Sequence, residues 1–220
     1  PTGKIQIGSG ASTGARAGDV YVTSGTGTVG NGGEIYMSAG HATAAGGAVG
    51  GRFTVESGDS TAGSSGEVLI RSVDAVSGSG MMVLSTGAAT TGDTGRFTLG
   101  TGTTASGRGG DVYISSGVGS DIGGEIRMSA GASSAGAVGG RFSVESGDST
   151  SGSSGEVLLR SVDAVTGSGL MVLSTGAATT GPSGFTHVGT GSSAGGNSGD
   201  VVIGSGATTT GGGNSGDVMI

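Results

Sequence analysis

GDVYVTSG at residues 18–25 returns as GDVYISSG at 110–117 and as GDVVIGSG at 199–206. Each is one instance of a shorter unit, G-x-h-x-h-x-(S/T/G/A)-G, where h is apolar. The unit begins at Gly3, Gly18, Gly33, Gly51, Gly66, Gly80, Gly95, Gly110, Gly124, Gly140, Gly155, Gly169, Gly184, Gly199 and Gly216. Spacing is mostly 14 or 15 residues and stretches to 18 across GHATAAGGAVG. An internal period of this kind marks a repeat architecture.

Within the units the apolar residues fall in pairs: Ile5/Ile7, Val20/Val22, Ile35/Met37, Phe53/Val55, Val68/Ile70, Met82/Leu84, Phe97/Leu99 and Val112/Ile114. They continue as Ile126/Met128, Phe142/Val144, Val157/Leu159, Met171/Leu173, Val201/Ile203 and Val218/Ile220. Two apolar residues flanking one outward residue is the period of a half-buried strand. A helix needs spacings of three and four and tolerates little glycine. Tracts such as DSTAGSSG and AATTGDTG separate the pairs, with glycines that let the backbone turn through positive φ. A unit that cannot bury its own apolar pair must stack on copies of itself. The expectation is therefore an all-β chain, one flattened parallel β-solenoid over 1–220 with about 15 coils of 14–18 residues. At ~4.8 Å per coil, such a rod would be roughly 70 Å long.

Composition narrows the function. Of 220 residues 55 are glycine, charged residues make up 11%, and there are three Tyr, four Phe and no Trp, too few for a thick globular core. The net charge of −7 argues against nucleic acid and against anionic membrane surfaces, both of which need basic patches. No cysteine is present, which excludes disulfides and thiolate metal sites. No apolar run approaches the ~20 residues that span a bilayer. The chain opens at Pro1 without a signal peptide and stops at GDVMI inside a unit, which reads as a segment of a longer fibre.

Near-duplicate super-repeats cover about 33–123 and 124–215, offset by 89 to 91 residues, or six units. In the solenoid reading the surface would repeat every ~29 Å. Neighbouring coils would then set Arg52 beside Glu67 and Glu56 beside Arg71, and in the second copy Arg141 beside Glu156 and Glu145 beside Arg160. Crossed opposite charges of this kind favour one register over a slip. Outward apolar residues Leu69, Met81 and Val83, repeated as Leu158, Leu170 and Val172, would join into a patch for lateral contact with another rod or domain. RSVDAV at 71–76 and 160–165 replaces a small-residue turn with valines, a better-packed corner. GFTHVG at 184–189 puts Thr186 where Phe97 sets the pattern, which weakens that coil or shifts Phe185 inward.

Catalytic patterns are weak. His41 and His187 are isolated, no nucleophile elbow comes with its partners, and the acids alternate with arginines instead of clustering. GGNSGDVVI at 195–203 partly matches a calcium-binding nonapeptide and leaves Asp200 and Asp217 as weak calcium candidates; no other cofactor is implied. Ice binding by a flat Ser/Thr/Ala-rich solenoid face is the alternative to a structural role, although Thr holds no single column through the tracts.

Runs of G-[DEG]-[VI]-x-[IV]-S-[ST]-G between Ser/Thr/Ala/Gly tracts resemble the Gly/Ser/Thr-rich repeat proteins of stramenopile algae such as diatoms and brown algae, and similar repeats of bacterial surface proteins and phage fibres. The resemblance implies an extracellular or cell-surface, fibrous or adhesive part with possible O-glycosylation. The expectation from all of this is a non-enzymatic, self-assembling structural subunit or shaft segment of a filament. Its partners would be itself or another fibre subunit, end-to-end and lateral, with glycans possible and no nucleic acid or membrane insertion.

Overall fold

The computed structural model describes residues 3–44, 46–134, 136–209 and 214–219. Pro1, Ile220 and part of the tract at 207–216 lie outside them. The chain divides into two units, Pro1–Val112 and Tyr113–Ile220. Both are built from the same local pattern.

Among the described residues there is no helix and no strand, so the all-β solenoid is overturned: the chain is largely coil. The period survives the correction. Bends stand at 13–15, 28–30, 61–63, 76–77, 90–92, 105–107 and 120–122, a turn occupies 46–47, and further bends run through 150–152, 165–166, 179–181 and 194–196. Each lies between the apolar pairs of successive units. The described residues between the bends pair into no ladder.

What closes each tract is a neck between the seventh residue of one unit and the first glycine of the next. A β-carbon placed on Gly33 would stand 3.0 Å from Ser24 Cβ, and one on Gly124 would stand 3.0 Å from Ser116 Cβ. The same approach links Ser9 to Gly18, Ala39 to Gly51, Ser57 to Gly66, Ser72 to Gly80, Thr86 to Gly95 and Thr101 to Gly110. It continues with Ala130 and Gly140, Ser146 and Gly155, Ser161 and Gly169, Thr175 and Gly184, Thr190 and Gly199, and Ser205 and Gly216. All fourteen unit-opening glycines after Gly3 thus meet a small side chain, at 3.0–3.8 Å from the added carbon. Glycine is placed there to let two backbones approach.

Hydrogen bonds cross many of these necks. The amides of Gly33, Gly51, Gly66, Gly124, Gly140 and Gly155 donate to the carbonyls of Gly25, Gly40, Gly58, Gly117, Gly131 and Gly147 at 2.8–3.0 Å. Hydroxyls of Ser24, Thr101, Ser116, Ser161 and Thr175 donate to the carbonyls of Gly33, Gly110, Gly124, Gly169 and Gly184 at 2.8–3.2 Å. Bends are capped by their own serines: Ser60 Oγ accepts from the amide of Gly63, and Ser149 Oγ from that of Gly152, both at 2.8 Å. Such side-chain bonds offer the backbone an alternative to regular ladders. Among the described residues positive φ is confined to glycines, with Gly46, Gly47, Gly92, Gly107, Gly136 and Gly181 at the bends.

No described side chain is buried; Ala42, Ser57 and Ser146 alone are half-buried. The accessible surface of 21,477 Å² compares with about 8,800 Å² for a compact monomer of this mass. The valines of RSVDAV are exposed, so that corner is not packed, and Phe185 stays exposed and is not turned inward. One trace of the alternation persists. The first apolar residue of each unit from Val20 to Val218 is 46–59% exposed wherever the pattern is kept, while Ile5, whose opening Gly3 meets no side chain, is 88% exposed. The preceding neck gives that position its partial shelter.

Candidate functional site

A catalytic centre needs a concavity or convergent titratable groups. The described residues enclose no pocket and hold no group of three or more His, Cys, Asp or Glu placed for a metal ion. The described residues offer instead local surface clusters of charged and hydroxyl side chains.

The first is an Arg–Asp–Tyr cluster. Arg16 donates to Asp19 Oδ1 at 2.6 Å, and the Tyr21 hydroxyl donates to Asp19 Oδ2 at 3.3 Å. Ninety-two residues on, Arg108 donates to Asp111 Oδ1 at 2.7 Å. These i,i+3 pairs lie just before and inside a unit opening. The sequence signal for them is R-x-G-D-V-Y at 16–21 and 108–113, an i,i+3 spacing that closes within one segment.

The second cluster holds the charges expected to fix register. Arg141 donates to Ser143 Oγ at 3.1 Å and to Glu145 Oε1 at 3.4 Å, and the Ser143 hydroxyl donates to Glu145 Oε1 at 2.7 Å. Arg141, Ser143 and Glu145 therefore share one face of their segment, with Phe142 and Val144 between them. The structure does not bring Arg52 to Glu67, Glu56 to Arg71, Arg141 to Glu156 or Glu145 to Arg160; ion pairs among the described residues are local in sequence. With no ladder setting neighbouring units side by side, a charge meets residues of its own segment first.

Leu69 and Leu158 are each 66% exposed and Met81 and Leu170 each 88%, with Val83 and Val172 close to the former. The two copies match residue by residue. The apolar residues assigned to a core, Val68 and Val157 among them, are also accessible, so the apolar surface is wider than the six residues singled out in the sequence.

No protein-family model, curated protein or solved structure matches this chain. No helix among the described residues is long and apolar enough to cross a membrane.

Proposed function

We propose that this chain is a non-enzymatic structural segment of an extracellular filament or surface appendage, and that it buries its apolar residues against copies of itself. The observation that carries the proposal is the periodic row of first apolar residues, each half exposed beside a formed neck. Ordering a residue costs about 1–2 kcal/mol of backbone entropy, which burial must offset. This chain buries no side chain among its described residues. The missing burial must come from outside the chain, and a fixed period makes one copy complementary to another at many registers.

The resemblance to algal and bacterial surface repeats supports an extracellular setting. Ice binding loses its platform, since that reading needs a flat strand-borne face and no strand holds one among the described residues. Negative-stain electron microscopy of concentrated protein tests the proposal. Filaments or laterally associated bundles are expected, and a field of dispersed single chains at every concentration would overturn it.

A further inference from the structure

Four five-residue segments carry an unusual charge order. Arg52-Phe-Thr-Val-Glu56 and Arg141-Phe-Ser-Val-Glu145 begin with a base and end with an acid. Glu67-Val-Leu-Ile-Arg71 and Glu156-Val-Leu-Leu-Arg160 run the other way. Each has opposite charges at its two ends and apolar residues at its second and fourth positions.

Folding the two arms of one tract together cannot use these charges. The neck joins Gly66 N to Gly58 O, so arms laid back from it would put Glu56 within one residue of Glu67, and Arg52 within one residue of Arg71. An offset of one residue turns those side chains to opposite faces, so no charge in either arm meets an opposite charge in the other. A second copy of the same segment, laid antiparallel across a two-fold axis, reverses the outcome. Arg52 then faces Glu56 of the second copy, Glu56 faces its Arg52, Phe53 and Val55 face each other across the pair, and Thr54 sits on the axis. An isologous contact of this type presents the same patch from both partners.

Relying on the assembly reading above, we propose that the two arginine-first segments, Arg52–Glu56 and Arg141–Glu145, are the contact sites, and that each pairs antiparallel with its own counterpart in another copy. The Arg141, Ser143 and Glu145 side chains already lie linked on one face, leaving Phe142 and Val144 for the other, which is the division of faces that such a pairing uses. The long Arg141–Glu145 contact of 3.4 Å within the chain is exchanged for two contacts between chains. Each of the two segments has its own axis, so one chain engages two neighbours and the assembly extends instead of closing at a dimer.

Three full-length variants test this by sedimentation velocity over a concentration series. The swap Arg52→Glu, Glu56→Arg, Arg141→Glu, Glu145→Arg keeps the net charge at −7 and keeps the two-fold pairing complementary. It is expected to associate within about threefold of the parent, whereas a parallel pairing of Arg52 with Glu67 would become acid on acid. The pair Arg52→Glu and Arg141→Glu sets acid on acid across each axis and is expected to weaken association at least about tenfold, as like-charge contacts do at interfaces. Arg96→Glu with Arg127→Glu has the same net charge, −7 − 4 = −11, and is expected to associate like the parent. Loss of association in the swap, or its persistence in Arg52→Glu with Arg141→Glu, overturns the antiparallel pairing while leaving assembly standing. Equal loss in Arg96→Glu with Arg127→Glu also overturns it, because net charge then accounts for the effect. A parent chain that does not associate at all overturns the assembly reading itself.

Discussion

Ser24 and Gly33 hold one another from both sides of a neck: the serine hydroxyl donates to the glycine carbonyl at 2.8 Å, and the glycine amide donates to the carbonyl of Gly25 at 2.9 Å. Ser116 and Gly124 repeat the arrangement 91 residues later, at 2.8 and 3.0 Å. The neck depends on a residue without a side chain on one segment of the crossing and a small residue on the other, here a serine whose hydroxyl adds a second bond.

Gly33→Ala therefore opens its neck, since the new β-carbon would crowd Ser24 Cβ at 3.0 Å. Losing a hydrogen bond worth about 1 kcal/mol speeds exchange of the residue-33 amide roughly fivefold. Gly8→Ala is the control, with nothing within 4 Å of its β-carbon, and should leave exchange throughout the chain unchanged. Hydrogen exchange read by NMR distinguishes the two.

Removing the bend caps has a local effect. Ser60→Ala and Ser149→Ala delete the acceptors of the Gly63 and Gly152 amides, and those amides should exchange several-fold faster, consistent with about 0.5–1.5 kcal/mol per bond. The neck amides of Gly66 and Gly155 should slow or hold steady relative to the caps. An unchanged Gly63 amide would show that the bend forms without its serine.

Gly92 and Gly181 occupy equivalent bends with φ of 87° and 105°. Alanine in the left-handed region costs about 1–2 kcal/mol, whereas asparagine visits it routinely. The HN–Hα coupling of residue 92 should therefore report a negative φ in Gly92→Ala and a retained positive φ in Gly92→Asn. A positive φ in the alanine variant would mean that neighbouring contacts fix the bend.

Self-association should follow the sheltered apolar position, not apolar character in general. Phe53→Ser with Phe142→Ser removes two side chains each worth about 1.5–3 kcal/mol on burial, and association should fall at least tenfold. Val76→Ser with Val165→Ser alters residues that are fully exposed and belong to no pairing segment, and should change it little. Concentration-dependent light scattering reads both.

The repeat was the part of this fold that residues alone could specify. Every unit opening from Gly18 to Gly216 reappears as a glycine at a neck, because the need for close approach is written as glycine and small residues at fixed spacing. Strand pairing was not specified in that way. Alternation in Val20/Val22 or Val68/Ile70 states that the backbone is extended and two-faced, but a ladder also needs a neighbour in register, and the closing bonds are spent at the necks between residues eight to eleven apart. Two apolar residues per unit, set among 55 glycines, bury too little to hold units side by side against the entropy of that much glycine. The charges follow the same logic: Arg141 found Glu145 within its own segment because no ladder brought Glu156 near. R-A-G-D-V-Y at 16–21 was readable as a local cluster, its i,i+3 spacing being short enough to close without any tertiary fold.

Sedimentation velocity of the unmodified chain across a wide concentration range shows whether copies assemble without limit. The sedimentation coefficient is expected to climb with concentration into a distribution of large species, with no stop at a dimer. A single monomeric boundary at every concentration would contradict such assembly.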